Sequence, residues 1–365
     1  MFTYSKYAKV LVEYSLEIKE GDLFLIQGSY IALPLIEEVY KQALLKGAHP
    51  YVKLSSESFD YIFYKYATDK QLDYLSPLPE YEMKNIDALL SIWANENTRN
   101  LTNIDPKKQA RKRKAVFPVY KIFFERTAKK ELRWCGTVFP TNALAQEANM
   151  SLYEYQEFVF NAAKMYADDP VKEWKKVSEK QEEIIKKISE FREFHIKSPY
   201  ADLKFRLDET RRWINCDGKE NFPDGEIFTG PLENSVEGEV YFTYPAIYGG
   251  REVSGVKLTF EKGKVVKASA EKNEEFLIAM FDTDKGARYV GEIAVGTNYD
   301  IRKFTKNILF DEKIGGTFHL AVGNSIKESG GQNESAIHWD MISDMTEGVI
   351  TADGKIIYKN GKFII

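Results

Sequence analysis

The sequence predicts an α/β chain of two domains: an amino-terminal domain with a parallel-type sheet and helices, residues 1–195, and a carboxyl-terminal α+β domain rich in antiparallel strands, residues 196–365. Three observations carry this reading. Strand and helix signals alternate between Gly21 and Trp93, the pattern of a parallel crossover unit. A long amphipathic stretch, Val171 to Phe194, closes that part of the chain. From about residue 196 the pattern changes to short strand-like runs with turn glycines between them.

Gly21-Asp22-Leu23-Phe24-Leu25-Ile26-Gln27-Gly28 is a short apolar run between glycines and reads as a buried strand. Leu33 to Lys46 carries Leu33, Leu35, Ile36, Val39, Tyr40 and Leu44 at helical spacing, with Gly47 as the stop. His49-Pro50-Tyr51-Val52-Lys53-Leu54 resumes extended structure, and Asp87 to Trp93 reads as a further strand of the same layer. The basic run Lys107 to Lys114 suits a phosphate or nucleic-acid patch or the solvated face of a helix; the acidic chain favours the last. In Val171 to Phe194, Trp174, Val177, Ile184, Ile185, Ile188, Phe191 and Phe194 form one apolar stripe, so a single helix is expected over the whole stretch. Glu239 to Tyr244, Val253 to Phe260 and Lys264 to Ser269 read as consecutive antiparallel strands, punctuated by Gly249-Gly250 and Lys262-Gly263-Lys264.

Composition sets further bounds. Hydrophobic residues are 44% and charged residues 29% of the chain, a balance that excludes extended disorder. With 51 basic against 55 acidic residues, the net charge of -4 argues against nucleic acid as the main partner. Cys135 and Cys216 are the only cysteines, too few for a disulfide framework. The amino-terminal run lacks a secretory signal's basic start and apolar stretch, and no segment is apolar enough to span a bilayer, so a cytoplasmic protein without membrane contact is expected.

The histidines are His49, His195, His319 and His338. In Ser335-Ala336-Ile337-His338-Trp339-Asp340 an extended strand would put His338 and Asp340 on one face, able to chelate zinc, cobalt or manganese or simply to hydrogen-bond each other. His319, within Gly315-Gly316-Thr317-Phe318-His319-Leu320-Ala321-Val322-Gly323, reads by itself as a core histidine satisfied by backbone. Glu292 lies among small and apolar residues, where a buried carboxylate must be paired or hold a cation. Glu226 follows a Pro-Asp-Gly turn and opens a short strand, a place where edge acids are common.

Taken in order, Pro223-Asp224-Gly225-Glu226-Ile227-Phe228-Thr229-Gly230-Pro231, Gly291-Glu292-Ile293-Ala294, His319-Leu320-Ala321-Val322-Gly323 and Ser335 to Asp340 resemble the aminopeptidase T and aminopeptidase S family of metallopeptidases, the thermophilic type. Near the start, Lys6 to Ser15 and Lys46-Gly47-Ala48-His49-Pro50 also look like that family. The resemblance implies a carboxyl-terminal catalytic domain with Glu226, Glu292, His319, His338 and Asp340 as ligands of two divalent ions, zinc, cobalt, manganese or magnesium. Glu292 or Asp340 is the expected bridge, and Glu292 the catalytic carboxylate. It further implies a homodimer acting on peptides with free amino termini.

Two metal ions sharing a water supply hydroxide near neutral pH, hold the amino terminus and polarise the scissile carbonyl. Ile326 stands where the family typically carries a metal-site tyrosine and offers neither ligand nor hydrogen bond, which bears on affinity, metal choice or rate. Glu233 is a candidate proton shuttle, though a solvated strand-end acid is the plainer reading. Two alternatives remain: a related ring-cleaving oxygenase with one iron, and a non-catalytic binding protein with an altered site. Two ions per chain, one iron or none would separate the three.

Overall fold

The computed structural model describes residues 4–365. The chain forms two compact units. One holds the residues up to Lys172 together with Gly218–Phe222; the other holds Glu173–Asp217 and Pro223–Ile365.

The first unit is built on five parallel strands. They are β1 (Leu23–Ser29), β2 (His49–Ser55), β3 (Ala88–Trp93), β4 (Arg133–Val138) and the two-residue β8 (Asn221–Phe222), in the order β2-β1-β3-β4-β8. The expected helix between β1 and β2 is present as Leu33–Leu45, and Gly47 leaves it with φ of +78°, a conformation open to glycine. Parallel strands need such crossovers, which is why strand and helix signals alternate. The basic run opens a helix, Pro106–Ala128, that buries none of its residues. Within it Arg111 pairs with Asp69 at 2.5 Å and Asp73 at 2.6 Å, so the run is a solvated, locally neutralised face.

The second unit contains an eight-stranded antiparallel sheet, order β14-β13-β10-β6-β5-β18-β19-β20. Its strands are β5 (Glu193–Ser198), β6 (Ala201–Arg206), β10 (Glu237–Tyr241), β13 (Lys257–Glu261), β14 (Lys264–Ser269), β18 (Val349–Ala352), β19 (Lys355–Lys359) and β20 (Lys362–Phe363). A short hairpin joins β11 (Ala246–Tyr248) to β12 (Arg251–Val253). A five-stranded antiparallel sheet runs β17-β16-β15-β9-β7, from β7 (Trp213–Cys216), β9 (Glu226–Thr229), β15 (Val290–Gly296), β16 (Thr317–Gly323) and β17 (His338–Asp344).

Two expected elements are corrected. The amphipathic helix is Pro170–Ile188 and ends before Phe191; Phe194 lies instead on β5 and stacks on Phe205 with ring centroids 5.0 Å apart. Apolar residues at 188, 191 and 194 keep a helical spacing, but residues at 194 and 196 also satisfy strand alternation, and pairing with β6 and β18 decides between them. The run Val253 to Phe260 breaks at Gly255, whose φ is +66°, into the end of β12 and the separate β13. Pairing of β13 with β10 and β14 is antiparallel as expected.

One continuous core lies in the second unit. It takes Ile184 and Ile188 from the helix and Ile293, Val295, Phe318, Leu320, Val322, Trp339 and Met341 from the five-stranded sheet. These are alternate residues of β15, β16 and β17, so one face of that sheet is apolar and buried.

Candidate metal centre

The opposite face of the same three strands carries the chemistry. Glu292 on β15 is paired across the ladder with Ala321 on β16, and Ala321 with Asp340 on β17. Directly paired residues of an antiparallel sheet point the same way, as do residues two apart on one strand. His319, two before Ala321, and His338, two before Asp340, therefore join that face. Glu226 on β9 pairs with Gly296, four after Glu292, and joins it too. Strand register thus gathers all five residues named by the sequence.

Distances confirm the convergence. His319 Nε2 lies 3.3 Å from Glu292 Oε1 and 3.5 Å from Glu226 Oε2. His338 Nε2 lies 3.4 Å from Asp340 Oδ1 and 3.8 Å from Glu292 Oε2. Glu226, Glu292 and His319 are 5%, 4% and 0% exposed, so Glu226 is an interior group and not an edge acid. The His338 side chain, 31% exposed, forms the open rim.

Both imidazoles are aimed by backbone. His319 Nδ1 donates to the Glu312 carbonyl at 3.1 Å, and His338 Nδ1 donates to the Asn324 carbonyl at 2.7 Å. Each ring is left with Nε2 facing the carboxylates, the arrangement that orients a metal-binding imidazole. Glycines admit the two loops responsible. A Cβ on Gly296 would stand 2.1 Å from the Ile314 carbonyl oxygen, and one on Gly291 2.4 Å from that of Asn324.

The structure adds residues that the sequence reading passed over. Asp224 is 1% exposed, and the neighbours Glu312 and Lys313 reach the cluster from the loop before β16. Lys313 Nζ lies 3.5 Å from Glu226 Oε1 and 3.7 Å from Asp224 Oδ1, and also bonds Glu312 Oε1. Asp224 reads in sequence as a turn residue, and nothing local marks Glu312-Lys313; the burial of Asp224 and Lys313 reveals them. From the helix Pro170–Ile188, Gln181 donates through Nε2 to the carbonyls of Glu226 and Cys216, both at 3.1 Å.

Negative charge is in excess here. Five carboxylates, from Asp224, Glu226, Glu292, Glu312 and Asp340, face one ammonium and two imidazoles. Burial pushes the Asp224 carboxyl well above its ordinary range despite Lys313 and raises Glu292 despite the imidazoles. Burial likewise lifts Glu312, to about 8. Burial would lower the two imidazoles, but the surrounding carboxylates outweigh it and hold His319 at about 9 and His338 at about 10. Burial works against ionised Asp340, yet the His338 charge beside it brings it down to about 2.

Glu226 Oε2, Glu292 Oε2, Asp340 Oδ1 and Asp224 Oδ2 are buried without a hydrogen-bond partner. Buried acceptors of this kind are expensive unless something cationic meets them. Donor atoms of Glu292, His319 and Asp340 lie within 4.8 Å of one another, as do those of Glu226, Glu312 and His319. Oxygen and imidazole donors in such numbers suit a divalent ion such as zinc, cobalt or manganese.

Two other candidates are placed differently. Glu233 is held by Arg211 Nη2 at 2.6 Å and by the Gln332 backbone N–H at 2.8 Å, so it is neither a solvated acid nor a free base. Ile326 is half-buried at the start of a short 3-10 turn, where its carbonyl accepts from Ser329 N–H and Oγ.

Residues 2–363 match the model of the thermophilic metalloprotease (M29) family. The chain belongs to that family. It is a peptidase, then, and the resemblance read from four ordered motifs identified the right group. Aminopeptidase AmpS of Bacillus subtilis is 28% identical over 98% of this chain and 97% of its own length. Aminopeptidase T of Thermus thermophilus is 30% identical over 73% of this chain and 72% of its own. The solved structure of wild-type AmpT from Thermus thermophilus superposes with a TM-score of 0.88, covering 100% of this chain and 99% of that one at 24% identity, which establishes the shared fold. No helix among the described residues is long and apolar enough to cross a membrane.

Proposed function

We propose that this chain is a metal-dependent aminopeptidase that releases amino-terminal residues from peptides with a free amino terminus. The observation that carries the reading is the single sheet face on which Glu226, Glu292, His319, His338 and Asp340 converge with buried oxygens left unpaired. Membership of a metalloprotease family and the aminopeptidase names of the relatives support it.

Those five residues, with Glu312 beside them, are the groups that would hold divalent metal. The bound metal supplies a water made acidic enough to act as hydroxide near neutral pH and a Lewis acid for the carbonyl. Glu292 Oε2, buried without a hydrogen bond, would be the atom to take a proton from a water in the pocket. The surplus of carboxylates favours a substrate bearing an α-ammonium over one with a blocked amino group. In the two-ion arrangement that the family resemblance implies, the donor sets would be Glu226, Glu312 and His319 on one side and Glu292, His319, His338 and Asp340 on the other, with His319 common to both. This set is richer than the two imidazoles and one carboxylate of a single-iron oxygenase centre.

Assay of aminoacyl chromogenic substrates after chelation, with zinc, cobalt, manganese or magnesium returned, tests the proposal. Hydrolysis should vanish on chelation and return with metal, and an amino-acetylated substrate should resist. Activity indifferent to the chelator, or equal on the blocked substrate, would refute it.

We also propose a homodimer in the cytoplasm. Both cysteines are free, as suits a reducing compartment, and β2 ends the parallel sheet as an edge on which Val52 and Leu54 are exposed. Light scattering should report about twice the 42.1 kDa chain mass; a monomer at every concentration would contradict it.

A further inference from the structure

Lys313 places a fully buried ammonium inside the carboxylate cluster. Its Nζ hydrogen-bonds Glu226 and Glu312 and lies 3.7 Å from Asp224 Oδ1, and Glu226 and Glu312 are also oxygen donors of one of the two candidate ion positions. The other position, at Glu292, His319, His338 and Asp340, has no contact with the ammonium. A second asymmetry points the same way. Both positions draw on His319, yet its Nδ1 is committed to the Glu312 carbonyl, so a single nitrogen, Nε2, must serve one of them. The position with His338 of its own keeps imidazole ligation whichever way Nε2 is used; the other is left with carboxylates that already hold a cation.

We propose that Lys313 is a resident cation of this pocket, so that the chain takes up one divalent ion tightly, at Glu292, His319, His338 and Asp340, and a second only weakly, in competition with the Lys313 ammonium for Glu226 and Glu312. This rests on the metal-dependent reading above. A divalent ion on Glu226 and Glu312 would share oxygens with the ammonium, and two like charges so close in a buried site repel with little screening. The second ion binds only as the lysine side chain withdraws, and Asp224 is the carboxylate left to receive it.

Calorimetric titration of Zn²⁺ into the demetallated full chain, with the ions per chain counted by elemental analysis, tests this. The wild type should show one tight ion and a second at least about 10-fold weaker, the scale on which groups beside a metal alter its affinity. Lys313→Gln should tighten the second step by about 10-fold or more with the first nearly unchanged, and Lys313→Arg should behave as wild type. Two equally tight ions in the wild type, or an unchanged second step in folded Lys313→Gln, would overturn the proposal and leave the metal reading standing. Uptake of no ion by the wild type would overturn both. Should Lys313→Gln fail to fold, the wild-type ion count decides alone.

Discussion

Glu292→Ala is expected to lower the turnover of an aminoacyl substrate by at least about 100-fold, the upper end of what loss of even an outer partner of a metal ligand costs. Glu292 stands between the two imidazoles, 3.3 Å from His319 Nε2 and 3.8 Å from His338 Nε2. Removing it separates the two halves of the cluster and deletes the unpaired Oε2 proposed to take the proton. The fold should survive, because alanine on the site face leaves the apolar face of β15 intact. Glu292→Gln keeps the shape but offers one oxygen, and should lose nearly as much activity while staying as stable. Turnover within a few-fold of wild type in folded Glu292→Ala would remove this residue from the mechanism.

Trp339→Ala is expected to be the most damaging single change to stability, by about 3–5 kcal/mol. The indole is 1% exposed, sits between His338 and Asp340 on the opposite face of β17, and packs against Tyr248 and Phe276 with ring centroids at 5.3 and 6.0 Å. β17 ends its sheet and is tied on its other side only by a few bonds to residues 241–244, so this ring and Met341 anchor it through its apolar face. Its N–H has no hydrogen-bond partner, so Trp339→Phe gives up volume but no bond and should cost clearly less than alanine. The shift in denaturant midpoint at unchanged slope measures both effects. A loss under about 1 kcal/mol in the alanine variant, where loss of a core tryptophan normally costs several, would show that the strand is anchored elsewhere.

Much of this was open to reading from local sequence because the relevant periods are short. His338 and Asp340 two apart on a strand, and Glu292 in an apolar run, announce their faces within a few residues. Buried parallel strands such as Leu23–Ser29 announce themselves as apolar runs beside glycine. What stayed hidden depends on contacts between distant segments. Glu312 and Lys313 look like any charged loop, and the full burial of Lys313 follows from where that loop lands on β15. Glu233 looks solvated until Arg211, far off in sequence, closes on it. The two-residue strand Asn221–Phe222 has no period to detect, and joins β4 by a return of the chain into the first unit. The helix that ends at Ile188 shows the opposite failure, where a valid helical spacing ran past the true boundary into a strand.

The two glycines of β15 bear on how such a centre is inherited. Gly296 lets in the loop whose carbonyl at Glu312 aims His319, and Gly291 lets in the backbone of Asn324, whose carbonyl aims His338. Neither glycine touches an imidazole or offers a ligand, yet each sets how near a loop can come. A descendant could keep every acid and histidine and still lose the aim of a ring to one added methyl group on this strand. Sorting related chains into working and defunct ones by their charged residues alone would misplace that descendant; the spacing between Gly291, Glu292 and Gly296 has to be read together with the acids.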